Sequence, residues 1–160
     1  MRGDGKRLSL AELLLGVAAL GIVAVLAAPR LLRPQIATNE SAAISTLREI
    51  YRAEMEYAQR FPTSGFAGDV AKLGPVAKAA APSASHAGLL DFVERCAAQP
   101  CERAGYLFSV DQISGTPVDT FRITAVPAAP GKTGLRGFCA SSAGAISYDP
   151  DGGKNCTHPI

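Results

Sequence analysis

Glu12 is the side chain most out of place in this sequence. It is the one charge in the run LSLAELLLGVAALGIVAVLAA from Leu8 to Ala28, whose only hydroxyl is Ser9. A charge deep in an apolar helix costs about 2.5–3.5 kcal/mol on insertion scales, so it marks a functional position by default. The other groups with chemical potential are few. Four cysteines, Cys96, Cys101, Cys139 and Cys156, allow three disulfide pairings, and nearness in sequence favours Cys96–Cys101 with Cys139–Cys156. No CxxC or HxxxH spacing suggests zinc. Asp149 and Asp151, in the tail DPDGGKN, have an acidic spacing able to present carboxylate oxygens to calcium, but a full calcium loop needs a later bidentate acid, and none follows. A turn closed by Asp and Gly is the plainer reading there. Ser85-His86 lacks a third partner and an oxyanion site, and reads as a solvated loop pair. With two histidines, no nucleophile motif and no metal cluster, the chain is not expected to be an enzyme or to carry a cofactor.

These groups must be held by a small set of elements. As a helix, the 21 residues from Leu8 to Ala28 reach roughly 31 Å, about the thickness of a bilayer's hydrocarbon core. Pro29 interrupts the hydrogen-bond ladder where the apolar run ends. Beyond it, Ile44, Leu47, Tyr51, Met55 and Ala58, flanked by Ala43, Ile50 and Tyr57, recur in steps of three and four and predict one helical face. Arg48, Glu49, Arg52, Glu54 and Glu56 fall mostly on the other side. The simplest reading is one long helix, kinked near Pro29 and Pro34 and ending near Phe61-Pro62. The segment from Phe61 to Ala87 is rich in Gly, Pro, Ser and Ala and reads as a loop with a short turn at Val70–Leu73. Leu89 to Ala98 predicts a short helix, stopped by Pro100. From Gly105 the period becomes two. Strands are expected around Tyr106–Val110, Phe121–Ala125, Leu135–Ala140 and Ala145–Tyr148, joined by short Gly- and Pro-bearing turns into an antiparallel meander. A sheet this small is marginal alone and should pack on the amphipathic half of the helix.

Basic residues, then Leu-Ser-Leu-Ala-Glu, an apolar run, and a proline 17 positions after the glutamate resemble the N-terminus of type IV pilins and type II secretion pseudopilins. The later stretch STLREIYRAEMEYA, followed by Phe-Pro, is similar to the second half of the pilin helix in a bacterial group of pilin-like proteins. The resemblance makes Met1–Arg7 a leader, Leu8 the first mature residue, Glu12 the family's assembly glutamate and Pro29 its helix-kinking proline. Arg7 stands before the cut, where the family has glycine. What the resemblance implies is an α+β, pilin-like fold, one long N-terminal helix packed on a four-stranded antiparallel sheet. It divides the chain into a leader (1–7), a transmembrane or filament-core half-helix (8–32) and a periplasmic globular domain (33–160). It also implies a prepilin peptidase and an assembly machinery as partners, and self-association in which Glu12 pairs with the methylated amino terminus of a neighbouring subunit. A C-terminal disulfide over the sheet edge, here Cys139–Cys156, occurs in many pilins, and some major pseudopilins bind calcium near the region of Asp149 and Asp151.

Charge is compatible with this layout. The net charge of +2 resides in the leader, leaving 13 basic and 13 acidic residues in the rest, so no basic excess points to nucleic acid as the main partner. A positive leader favours a cytoplasmic N-terminus, an inner-membrane span and a periplasmic domain, where an even cysteine count suits disulfides. Three other readings compete: a secretory signal cut near Ala28, disfavoured because the apolar run exceeds the usual signal core; a membrane-anchored periplasmic binding module that does not polymerise; and a secreted enzyme.

Overall fold

The computed structural model describes the backbone of residues 10–77, 80–96 and 98–160, and their side chains except at 12, 13, 19–34, 94 and 95. The leader, the Arg7–Leu8 junction and the side chains of Glu12 and Pro29 lie outside the described residues; the backbone at Pro29 is helical. The chain divides into two units, residues 1–35 and 36–160.

In the first unit, helix α1 (Leu10–Arg60) begins. Leu10, Leu14, Leu15 and Val17 are exposed there, between 60% for Val17 and 78% for Leu10, so large apolar side chains stand uncovered on this part of the helix.

In the second unit, the C-terminal part of α1 lies against an antiparallel meander of six strands in sequence order. The strands are β1 (Cys101–Arg103), β2 (Tyr106–Ser114), β3 (Thr120–Pro127), β4 (Gly137–Ser141), β5 (Ile146–Asp149) and β6 (His158–Pro159). The period-two pattern decides which face is inside. Tyr106, Phe108 and Val110 of β2 are buried, and register places Phe108 opposite Ala125 and Val110 opposite Ile123 on β3. Ala125 and Ile123 in turn face Phe138 and Ala140 on β4. Ala43, Leu47, Ile50, Ala53 and Tyr57 of α1 join this face in one core. The segment after the helix closes the flank with Ala67, Val70, Leu73, Ala87, Leu90 and Val93.

The four expected strands correspond to β2–β5, and two more complete the sheet. β1 has three residues and β6 has two, too short to show any alternation; Pro100 precedes one and Pro159 sits in the other. Disulfides Cys96–Cys101 and Cys139–Cys156 tie both edges down. The helix expected over Leu89–Ala98 is a 3-10 turn, Asp91–Arg95, whose following residue Cys96 is held by its disulfide. The helical face is also turned from its expected centre. Ala43, Leu47, Ile50 and Tyr57 are buried, whereas Ile44, Tyr51 and Met55 are only half-buried. Glu54, expected among the exposed charges, is fully buried on that face.

Candidate functional site

Among the described residues of the second unit, buried carboxylates are built into the fold at three places. The first lies where its helix begins. Glu40 is 6% exposed, and its Oε1 accepts from the backbone N–H groups of Leu135 and Arg136, both at 3.1 Å. Its Oε2 accepts from Arg136 Nε at 2.9 Å and Arg136 Nη2 at 2.6 Å. Burial alone would raise this carboxyl's pKa; the Arg136 hydrogen bonds, the two backbone donors and the guanidinium charge outweigh it and hold Glu40 below the ordinary carboxylate range. Asn39 donates from Nδ2 to the Thr133 carbonyl at 2.9 Å, and the Tyr106 hydroxyl donates to the Arg136 carbonyl at 2.9 Å. The Arg136 guanidinium also lies 5.3 Å from the ring centroids of Phe138 and Tyr148. The β3–β4 connection is thus latched to the helix by a charge-assisted fork.

The second place is Glu54, one and a half turns from the helix end. Its Oε2 accepts from the Ala67 N–H at 2.7 Å, and its buried Oε1 has no hydrogen-bond partner. Burial pushes the carboxyl up to about 7, against the lowering influence of the Ala67 and Gly68 N–H groups and Lys72.

The third is the tail. Asp149 Oδ1 accepts from Asp151 N–H at 3.0 Å and Oδ2 from Asn155 N–H at 2.9 Å, so its carboxylate closes the turn that begins at Pro150. Asp151 is exposed. Cys139–Cys156 then ties the tail to β4, while Arg122 Nη2 donates to the Lys154 carbonyl at 2.6 Å. Among the described residues no cluster of three or more His, Cys, Asp or Glu could hold a metal ion. Ser85 and His86 are exposed on a loop, with Nδ1 and Oγ 3.3 Å apart.

The structure therefore brings together both cysteine pairs that proximity favours. It describes neither the Arg7–Leu8 junction nor the side chains of Glu12 and Pro29, so their geometry forms no part of this site. Among the described residues no helix is long and apolar enough to cross a membrane; the apolar stretch 19–34 has no described side chains. Sequence reasoning missed Glu40, Arg136 and Glu54. For Glu54 a pattern was present: 47, 50, 54 and 57 form the same three-four spacing as the apolar positions. Nothing in the sequence linked Glu40 to Arg136 across 96 residues. Comparison with protein-family models, curated proteins and solved structures finds no match.

Proposed function

We propose that this chain is a structural subunit of a type IV pilus or type II secretion pseudopilus. It is held in the inner membrane by its N-terminal helix, with the second unit in the periplasm, and is assembled through that helix into a helical filament. The observation that carries this reading is the sequence Leu8-Ser9-Leu10-Ala11-Glu12 behind a basic leader, opening an apolar run that ends at Pro29. Two structural features support it. The residues after the run form the helix of an α+β unit with an antiparallel sheet, and Leu10, Leu14, Leu15 and Val17 offer apolar surface that nothing in the described chain covers. Moving such a helix from lipid to a filament core exchanges one apolar environment for another, so the hydrophobic cost is small. Identical subunits offset along an axis supply the heterologous, non-closing contact that an open filament needs.

Intact-mass analysis of the membrane-extracted protein, with shearing of filaments from cells, tests the reading. A mature chain starting at Leu8 and present in the sheared fraction is expected. A start at Ala28 would make this an ordinary secreted protein. A chain confined to the membrane fraction would make it a tethered periplasmic module.

A further inference from the structure

We propose that Glu54 is a protonation switch for the loop at residues 61–69: the loop docks on the helix when the buried carboxyl is protonated, and ionisation favours its release. The inference concerns the second unit alone and holds whether or not the chain polymerises.

The geometry places an acid where an ion is poorly supported. Glu54 has no exposed surface, yet the loop satisfies only one of its oxygens, through Ala67 N–H at 2.7 Å, and Oε1 has no hydrogen-bond partner. A desolvated carboxylate with an empty oxygen is costly, whereas a protonated carboxyl there is not. The groups acting on it come from three elements: Tyr57 along its own helix, the Ala67 and Gly68 amides of the loop, and Asp69 with Lys72 around the 3-10 turn. Lys72 and Asp69 oppose one another, and the sheet supplies none of these groups.

The loop is a separable flap. Phe66 N–H donates to Val118 O at 3.0 Å, and Val118 N–H donates to Ser64 O at 3.1 Å. The Phe66 ring meets Phe121 edge-on, with centroids 4.7 Å apart. Gly65 and Gly68 sit at φ +72° and +67°, a region costly for residues with a Cβ, so two permissive hinges bracket Phe66 and Ala67, whose contacts reach Val118, Phe121 and Glu54; the Ser64 carbonyl that accepts from Val118 lies just outside them. Swinging Phe66 and Ala67 out at these hinges would give the ionised carboxylate water at the loss of two hydrogen bonds, one ring contact and the burial of Ala67.

The sign follows from linkage. A proton is bound more tightly in the docked state, so docking is favoured at low pH and weakens as pH rises. Amide hydrogen exchange of the full chain in detergent micelles reads this directly, after correction for intrinsic rates. Protection of the Ala67 and Phe66 amides should fall by roughly fiftyfold between about pH 5 and about pH 7.5, the factor given by a pKa near 7 when docked and 4.5 in water. Amides of β3 that exchange by local fluctuation should not follow, whereas those that open only on global unfolding should weaken with the stability of the whole unit. Glu54→Gln, a permanently uncharged isostere, should hold protection flat over the same range. The wild-type Glu54 side-chain carboxyl carbon, observed by NMR, should titrate well above the ordinary glutamate range, a readout that does not require the variant to fold. Flat Ala67 protection in the wild type, ordinary titration of Glu54, or an undiminished pH dependence in Glu54→Gln would each overturn the proposal.

Discussion

Two buried glutamates on one helix have opposite relations to pH, because their surroundings differ. Glu40 is supplied with four donors, two of them from a guanidinium, and its pKa is lowered. Its contribution to stability is present above the ordinary carboxylate range and is lost as pH falls through its depressed pKa. Glu54 has one donor on one oxygen and is raised to about 7. Between about pH 4.5 and about pH 7 the folded chain holds that proton and the unfolded chain does not, so stability declines as pH rises through this window and levels off above it. The decline is on the order of 3 kcal/mol. Denaturant unfolding across the pH range should show both limbs, and Glu54→Gln should remove only the neutral one, leaving the variant more stable than wild type at pH 8. Arg136→Leu should act differently. It leaves Glu40 buried without its ion partner, a loss of 3–5 kcal/mol for a fully buried pair. Because the Arg136 side chain is 42% exposed, about 2 kcal/mol at pH 7 is the better expectation, shrinking in acid where Glu40 is protonated. A pH-independent loss from Arg136→Leu would mean that its packing over Phe138 and Tyr148, not the ion pair, is what the latch contributes.

At the scale of elements, stability of the sheet edges rests on the two covalent ties. Cys139–Cys156 spans 17 positions and holds the tail that carries β6, a strand of two residues. On the chain-entropy model, replacing both cysteines by serine should cost about 3 kcal/mol, and the shorter Cys96–Cys101 loop about 2 kcal/mol. Unfolding of the non-reduced and doubly substituted chains measures this, and NMR should show the β5–β6 pairing lost with β2–β4 intact. These elements were unequally legible in the sequence. Strands β2–β5 announced themselves because one face meets a core, which forces alternation such as Tyr106, Phe108, Val110. Strands β1 and β6 were invisible because they are fixed by disulfides and not by patterned burial. The helix was legible in extent but not in phase. Ile44, Tyr51 and Met55 are large enough to dominate an apolar count, yet the sheet selects Ala43, Leu47, Ile50 and Tyr57. That rotation of the face carries Glu54 inside. Local spacing cannot see the loop amide at Ala67 that makes an acid tolerable there, nor Arg136 waiting for Glu40 from the far side of the β3–β4 connection.

For the whole molecule, the question is why a charge sits inside the apolar segment and not at its edge. On the proposed reading, Glu12 costs the membrane-held monomer about 2.5–3.5 kcal/mol relative to an apolar residue, so some other state must use it. Its own chain offers three nearby cations: Lys6, Arg7 and the new amine at Leu8. The first two leave with the leader. The third lies about one helical turn away, but it would be needed there in every monomer, assembled or not. A neighbour's amine explains the position better, since an amine and a carboxylate buried together cost far less than either alone. Glu12→Leu should therefore leave membrane insertion and the second unit intact, because the segment only becomes more apolar. It should lower the amount of chain in sheared filaments while immunoblots of the membrane fraction stay at wild-type level. Intact mass belongs in the same experiment: if Arg7 prevents cleavage, Met1 is retained, no free amine reaches a neighbour, and wild type and Glu12→Leu should be equally poor in filaments. If Glu12→Leu filaments instead appear at normal amount and length from a processed chain, the carboxylate is not an assembly contact, and the segment is a plain anchor whose glutamate reaches the membrane surface.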